Sequence, residues 1–239
     1  GSSANITGNT ITGDGPISYI AENGIQVSRG ATAEINGNTI TGHSYAPFTT
    51  TSAGILLYQG GTVNTDGNTV TQNQIGINAL DTSGTHKNNI VTATAAGTGS
   101  PGFWGMVVDA PPPGRVPSPF DADVDAAAAT GVGPNSPAAV QTVLVTGNTF
   151  TSNNSAGGVG VETDAGYGSL DINVTVTKNL IHNWETGVVV YECTGGGCAA
   201  STFSNVDVNR NSIVGNTDGF YADTVDPNET DGTCNWWGN

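Results

Sequence analysis

The stretch Asn38-Thr39-Ile40 shows the pattern that decides the fold, an asparagine followed two residues later by a large apolar residue. The chain carries eight such copies: Asn9-Thr-Ile11, Asn38-Thr-Ile40, Asn68-Thr-Val70, Asn88-Asn-Ile90, Asn148-Thr-Phe150, Asn179-Leu-Ile181, Asn211-Ser-Ile213 and Asn235-Trp-Trp237. Successive copies are separated by 29, 30, 20, 60, 31, 32 and 24 residues. A repeat of this length, rich in Asn, Gly and Thr, is typical of a solenoid of short strands.

Each repeat contains three strand-like pieces. The first has apolar residues five and three positions before the asparagine, as in Ala33/Ile35 and Val174/Val176, and this alternation predicts a strand with one buried face. The second is the asparagine motif itself. The third begins with glycine and places apolar residues one and three positions later, in copies that begin at Gly24, Gly54, Gly76, Gly105, Gly158, Gly187 and Gly219. Three strands per turn predict an all-β parallel helix of about eight coils.

The asparagines are predicted to form a structural column at one corner of the coils. Stacked side-chain amides can hydrogen-bond to one another along a column of parallel strands, and asparagine tolerates left-handed corner angles. Trp236 and Trp237 belong to the last copy, and we expect them to close the open end of the core.

Composition limits the classes of partner. The 239 residues carry a formal charge of −15, from five Lys+Arg and twenty Asp+Glu, so nucleic acid and acidic membranes are not expected partners. There is no apolar run of about 18 residues, so no membrane span is predicted. A hydrophobic content of 36 % and 35 glycines suit a thin solenoid core, and residues 1–239 are predicted to form one domain. Cys193 and Cys198 frame a glycine-rich hairpin and predict a local disulfide, although reduced thiols remain an alternative.

The asparagine and glycine motifs, together with the closing Cys234-Asn-Trp-Trp-Gly238, resemble the right-handed parallel β-helix repeat proteins of the pectate-lyase-like superfamily. The resemblance covers nearly the whole chain and is strongest to secreted bacterial members that end in Asn-Trp-Trp-Gly. It implies a right-handed helix and a secreted or cell-surface location. It does not imply one activity, because the superfamily includes lyases, glycosidases, epimerases and adhesins.

Two long excursions leave the coils after third strands. One is the proline-rich segment at about 110–141, and the other is the hairpin at 193–198. Loops stacked on one side of a solenoid form the walls of a groove. Within the first excursion, Asp121, Asp123 and Asp125 have the spacing of a calcium loop, but Ala126 replaces the glycine such a loop needs. Calcium is therefore only a weak expectation, and the alternative is a solvated acidic turn.

The candidate site is a stripe on the outer face of the third strands. Outward positions should alternate with the buried ones, so the fourth residue after each glycine forms a row: Ser28, Tyr58, Leu80, Asp109, Glu162, Tyr191 and Asp223. Coils stack at about 4.8 Å, which predicts roughly 5 Å between the carboxylates of Asp109 and Glu162. Glu162 and Asp223, two coils apart, would be separated by roughly 9–10 Å; glycosidases use separations of these two sizes. Asp109, Glu162 and Asp223 are thus the candidate catalytic residues, and Tyr58, Trp104, Tyr191, Glu192 and Arg115 the candidate substrate-binding residues.

Three functions agree with these features. The first is a β-helix that binds a neutral or weakly charged polysaccharide beside its third strands. The second is a glycan-cleaving enzyme that uses the paired carboxylates; a lyase is less expected because only Arg115 among the five basic residues could reach the stripe as a proton abstractor. The third is a structural or adhesive stalk segment without a small-molecule site.

A second stripe consists of threonines on both sides of the inward residue of the second strand, as in Thr39/Thr41 and Thr69/Thr71. This flat Thr-x-Thr pattern resembles that of ice-binding β-helices. It is interrupted, on this alignment, at Asn89/Val91, Leu180/His182 and Ser212/Val214. Threonine is also an ordinary outward residue of strands, so the pattern alone indicates little.

Overall fold

The computed structural model describes residues 1–46, 51–93, 104–109, 140–153, 158–165, 172–191, 204–223 and 230–238. Within these ranges every regular element is a β-strand, and all strand pairs are parallel. The strands form three sheets in which each strand pairs with its counterpart in the next coil. This is the predicted right-handed parallel β-helix with three strands per coil, with the crossover hand that parallel connections adopt.

The three sheets are continuous along the helix. The first contains eight strands: β1 (Ser3–Thr7), β4 (Thr32–Asn36), β7 (Val63–Asp66), β10 (Gly84–Lys87), β13 (Gln141–Thr146), β16 (Ile172–Thr177), β19 (Ser204–Asn209) and β22 (Thr230–Asp231). The second contains seven: β2 (Thr10–Ile17), β5 (Thr39–Tyr45), β8 (Thr69–Thr71), β11 (Ile90–Ala93), β14 (Thr149–Ser152), β17 (Leu180–His182) and β20 (Ser212–Val214). The third also contains seven: β3 (Ile25–Ser28), β6 (Ala53–Tyr58), β9 (Ile75–Leu80), β12 (Trp104–Asp109), β15 (Val159–Asp164), β18 (Thr186–Tyr191) and β21 (Asp218–Asp223).

The core is a thin column of aliphatic side chains, one or two from each strand. Three fully buried isoleucines show this arrangement, one from each sheet: Ile35 from the first, Ile40 from the second and Ile55 from the third. Trp184 is also fully buried, and its indole N–H donates to the carbonyl oxygen of Phe150 at 3.1 Å. Because each coil adds few residues to this column, a low overall hydrophobic content is sufficient.

The asparagine column is confirmed as a hydrogen-bonded ladder. Each rung accepts, at its Oδ1, bonds from the backbone N–H and the side-chain Nδ2 of the rung before it; Asn148 donates to Asn179 Oδ1 at 2.8 and 3.0 Å. The rungs are Asn9, Asn38, Asn68, Asn89, Asn148, Asn179, Asn211 and Asn235. All rungs from Asn38 to Asn211 are buried.

The sequence alignment was wrong at the fourth rung, which is Asn89 and not Asn88. A residue with positive φ precedes every rung, and Asn88 occupies that position with φ 55°. Its side chain lies outside the ladder and donates to Asp66 Oδ1 at 2.9 Å. The inward residue that follows is therefore Val91, which is 2 % exposed, whereas Ile90 is 50 % exposed.

The end of the chain covers the last coil in part. Trp236 pairs with Ser212 through an isolated parallel bridge, and the ring of Trp237 makes an edge contact with Phe220 at a centroid distance of 6.5 Å. A Cβ on Gly219 would lie 2.9 Å from the Trp237 ring, so this ring lies directly on the final third-sheet strand. Trp236 and Trp237 remain 59 % and 45 % exposed, so they cover the core without being enclosed.

Candidate functional site on the third sheet

A column of glycines fixes the register of the third sheet. The column consists of Gly24, Gly54, Gly76, Gly105, Gly160, Gly187 and Gly219. A Cβ on Gly160 would lie 2.5 Å from Ile181 Cγ2 and 2.6 Å from the carbonyl oxygen of Gly187, so the close approach between neighbouring backbones requires glycine there. The prediction that placed Gly158 in this column was therefore wrong by two residues.

The corrected register changes which carboxylates are neighbours. Asp109 pairs with Asp164 in the next coil, and Asp164 pairs with Tyr191, which pairs with Asp223. Glu162 is paired with Val107 and Val189 instead. Asp109 and Glu162 are therefore not register partners, as the predicted row of outward residues required, because they are offset by one coil and by two positions along the strand. Glu162 is likewise not in the row of Asp223, because its register partners two coils on lead to Tyr221.

Glu162 is held by an aromatic donor from the preceding coil. The indole N–H of Trp104 donates to Glu162 Oε2 at 2.8 Å. The Trp104 ring packs against a small apolar cluster on the outer face of the sheet, formed by Ala53, Ile75 and Val107. Trp104 therefore positions the carboxylate, and its ring is only partly available for stacking on a ligand.

Burial raises the pKa of the Glu162 carboxyl, and this is the largest effect on that group. The Trp104 hydrogen bond lowers the same pKa by stabilising the anion, and the nearby charge of Asp164 raises it again. A carboxyl group with a raised pKa can hold a proton at a pH at which exposed carboxyls have lost theirs. Glu162 can thus serve either as a hydrogen-bond acceptor or as a proton donor.

Two tyrosines in adjacent coils extend the site. The rings of Tyr191 and Tyr221 meet edge to face at a centroid distance of 5.9 Å, and they are 37 % and 48 % exposed. The pKa of Tyr191 is raised first by burial, and then by the charges of Glu162, Asp164 and Asp223 and by Tyr221. Five residues therefore lie together on the outer face of the third sheet: Glu162, Asp164, Tyr191, Tyr221 and Asp223. We call them the tyrosine–carboxylate patch.

The outer face of the sheet is not uniformly accessible. Asn78, Val107 and Val189, which occupy the second position after the glycine, are all less than a tenth exposed. Tyr191, Tyr221 and Asp223 are exposed. Along the predicted stripe, Tyr191 and Asp223 are exposed, the side chains of Ser28, Tyr58, Asp109 and Glu162 are partly exposed, and Leu80 is nearly buried.

The other predicted site residues are distributed differently. Tyr58 lies on the same face but four coils from Tyr191, so the structure does not bring it to the patch. Seven further predicted residues lie outside the described part of the chain: Arg115, Asp121, Asp123, Asp125, Glu192, Cys193 and Cys198. Sequence reasoning missed Asp164 and Tyr221. It missed Asp164 because Gly160 is followed by Val161 at the first position but by Thr163 at the third, where the other copies have an apolar residue.

A polar hollow of about 270 Å³ lies elsewhere, on the outer face of the first sheet. Its lining residues pair with one another: Asn64 Nδ2 donates to Glu34 Oε1 at 2.6 Å, and Lys87 Nζ lies 3.3 Å from Asp66 Oδ2. Lys87 and Asn88 both contact Asp66, and they lower the pKa of its carboxyl. Asn36 Oδ1 also lines the hollow and is buried without a hydrogen-bond partner. Because the four side chains above pair with one another, the hollow is nevertheless a weaker candidate than the patch.

Comparisons with known proteins give no relative: no protein-family model, curated protein or solved structure matches the chain. Within the described ranges no group of three or more His, Cys, Asp or Glu residues could hold a metal ion. The same part of the chain contains no helix long and apolar enough to cross a membrane.

Proposed function

We propose that this β-helix binds a neutral or weakly charged polysaccharide on the tyrosine–carboxylate patch. The observation that carries the proposal is the pair of exposed tyrosine rings, Tyr191 and Tyr221, directly beside three carboxylates on a rigid sheet. Tyrosine rings offer apolar faces to sugar rings, and carboxylates accept hydrogen bonds from sugar hydroxyls. Strands place both groups with little conformational freedom, which reduces the entropy lost on binding.

The charge of the chain supports a ligand that is not strongly anionic. A formal charge of −15 would repel a polyanionic glycan unless a cation bridged the two. We infer on the same grounds that nucleic acid is not a partner. Membership of the pectate-lyase-like superfamily and a secreted or cell-surface location belong to this proposal as well, and the terminal Asn-Trp-Trp-Gly motif supports them.

The test is a glycan array probed with the wild-type chain and with the double variant Tyr191→Ala/Tyr221→Ala, with and without calcium. If each ring contributes about 0.5–1.5 kcal/mol, the size of an aromatic pair contact, the double variant should bind roughly 5- to 150-fold more weakly. Tyr19→Ala is the matched control, because Tyr19 is 73 % exposed and lies in the first coil. Equal binding by all three proteins would refute the site, and no binding by the wild type would favour the structural or adhesive function.

A second candidate function is hydrolysis of the bound glycan, and the raised pKa of Glu162 favours it. Glu162 would be the proton donor to the leaving oxygen. Asp164, two residues along the same strand and on the same face, would activate water, which requires that the two carboxyl groups lie about 6.5–9.5 Å apart in the complex, as in inverting glycosidases. Incubation of the bound glycan should then release reducing ends with the wild type and not with Glu162→Gln. Binding without release by the wild type would leave the protein a binding module.

A further inference from the structure

The outer face of the second sheet carries a nearly unbroken array of threonines over its first five coils. Over the five coils of β2, β5, β8, β11 and β14, nine of the ten outward positions on either side of the buried residue are threonine. The nine are Thr10, Thr12, Thr39, Thr41, Thr69, Thr71, Thr92, Thr149 and Thr151, and the tenth is Ile90.

The correct position of the fourth rung makes this array continuous. On the sequence alignment, Asn89 and Val91 appeared to interrupt the outward threonines. In the structure Asn89 is a buried rung and Val91 points into the core, so the outward residues of that coil are Ile90 and Thr92. Thr92 pairs with Thr71 on one side and with Thr151 on the other, which gives one column of five threonines in register.

The array has two regular repeats. Neighbouring strands are separated by about 4.8 Å, and alternate residues of one strand by about 6.6 Å. Threonine is branched at Cβ and has few side-chain conformations, so its hydroxyl and methyl groups repeat in the same way. In one place the column is directly linked, since Thr71 Oγ1 donates to Thr41 Oγ1 at 3.2 Å.

The ten positions of the array carry no charge, although β2 also contains the exposed Asp14 beyond Thr12. None of the ten outward residues is ionisable, in a chain that carries 25 charged side chains. The pattern ends at β17, where Leu180 and His182 replace the threonines and His182 Nε2 lies 2.6 Å from Thr151 Oγ1. The face therefore differs from the first sheet, whose outer face carries Glu34, Asp66 and Lys87.

We propose that the threonine face, defined by these ten positions, binds the surface of ice. Hexagonal ice presents water oxygens at repeats similar to those of the array, so waters held between the hydroxyl and methyl columns can join the lattice. An ionic side chain would bind its own hydration shell and interrupt this order, so an uncharged face matches a neutral crystal. Each threonine contributes little, but a rigid array loses little side-chain entropy when many positions bind together.

The site differs from the tyrosine–carboxylate patch in both sheet and chemistry, so each proposal can fail without the other. The test is thermal hysteresis and inhibition of ice recrystallisation by the purified chain. We expect activity in the wild type and loss of most of it in Thr71→Lys and Thr92→Lys, at the centre of the array. Thr175→Lys is the matched control, because Thr175 is a partly exposed outward threonine of the first sheet, and it should retain wild-type activity.

Loss of activity in a lysine variant could reflect a folding defect, and a variant that gains activity is not open to this explanation. Ile90→Thr completes the array at a position that is already 50 % exposed, so it should raise the hysteresis activity without loss of stability. Far-ultraviolet circular dichroism and sedimentation velocity accompany each variant. The proposal is overturned if the wild type has no activity, if Thr71→Lys and Thr175→Lys lose activity equally, or if the face instead pairs two copies of the chain into a dimer that Thr71→Lys separates.

Discussion

Removal of one central rung of the asparagine ladder should destabilise the protein strongly. Asn179 is 2 % exposed, and its side chain makes four hydrogen bonds. Its Oδ1 accepts from Asn148 N and Asn148 Nδ2, and its Nδ2 donates to the carbonyl oxygen of Val145 at 3.0 Å and to Asn211 Oδ1 at 2.9 Å. The substitution Asn179→Ala removes all four.

The magnitude follows from what each former partner retains. Asn148 Nδ2 keeps two carbonyl acceptors, and Asn211 Oδ1 keeps the backbone N–H of residue 179. The buried backbone N–H of Asn148 loses its acceptor, which costs about 1–3 kcal/mol. The other three bonds contribute about 1 kcal/mol each, so the free energy of unfolding should fall by about 4–6 kcal/mol.

Urea denaturation followed by circular dichroism measures this change, with Asn9→Ala as the control. Asn9 is the first rung among the described residues, it is exposed, and its side chain makes two hydrogen bonds, both as a donor. The control should lose no more than about 1 kcal/mol. Equal losses for Asn9→Ala and Asn179→Ala would show that the ladder contributes little to stability and would refute the reasoning.

Three further predictions concern the core, the glycine column and the surface. His86 is fully buried and its pKa is lowered to about 4 by burial, so below pH 6.5 the unfolded chain takes up a proton that the folded chain does not. Between pH 7.5 and 4.5 the wild type should therefore lose about 2–3 kcal/mol more unfolding free energy than His86→Val. Parallel pH profiles of the two proteins in urea denaturation would contradict this. Gly160→Ala should lower the melting temperature by several degrees. Gly232→Ala should not, because the nearest atom to its added Cβ would be 3.6 Å away. Similar shifts of the two melting temperatures in calorimetry would argue against the glycine column. Lys87→Met removes a half-exposed ion pair with Asp66 and should cost less than about 1 kcal/mol, and a larger loss that salt does not diminish would be inconsistent with a surface pair.

The architecture could be predicted from the sequence because three independent signals repeat with the coil. The apolar pairs of the first strand, the asparagine column and the glycines of the third strand all recur in the same order, and each lies where it was expected in most coils. Such agreement among local signals is typical of a solenoid, in which every coil packs against its neighbours in the same way.

The candidate site was harder to predict because it depends on register. Gly158 and Gly160 are each followed directly by a valine, so either could begin the third strand of this coil. A shift of two residues also leaves every side chain on the same face of the sheet. Only the contact of Gly160 with Ile181 and the backbone of the next coil decides between them. That shift moved Asp164, and not Glu162, beside Asp109.

The prediction of the fourth rung was wrong for a related reason. Asn88 and Asn89 are adjacent, and both asparagines suit a corner. The preceding residue offers a signal, since glycine stands before four of the eight rungs and adopts a positive φ at each of them. Asn88 occupies that glycine position, and recognising this would have given Asn89 as the rung and Thr92 as an outward threonine.

The most direct test of the proposed function is a crystal structure of the chain with the oligosaccharide that binds best on the array. We predict a sugar ring against Tyr191 or Tyr221, with a hydroxyl within hydrogen-bond distance of Glu162 or Asp164. An oligosaccharide bound instead to the outer face of the first or second sheet would contradict the assignment of the site to the third sheet.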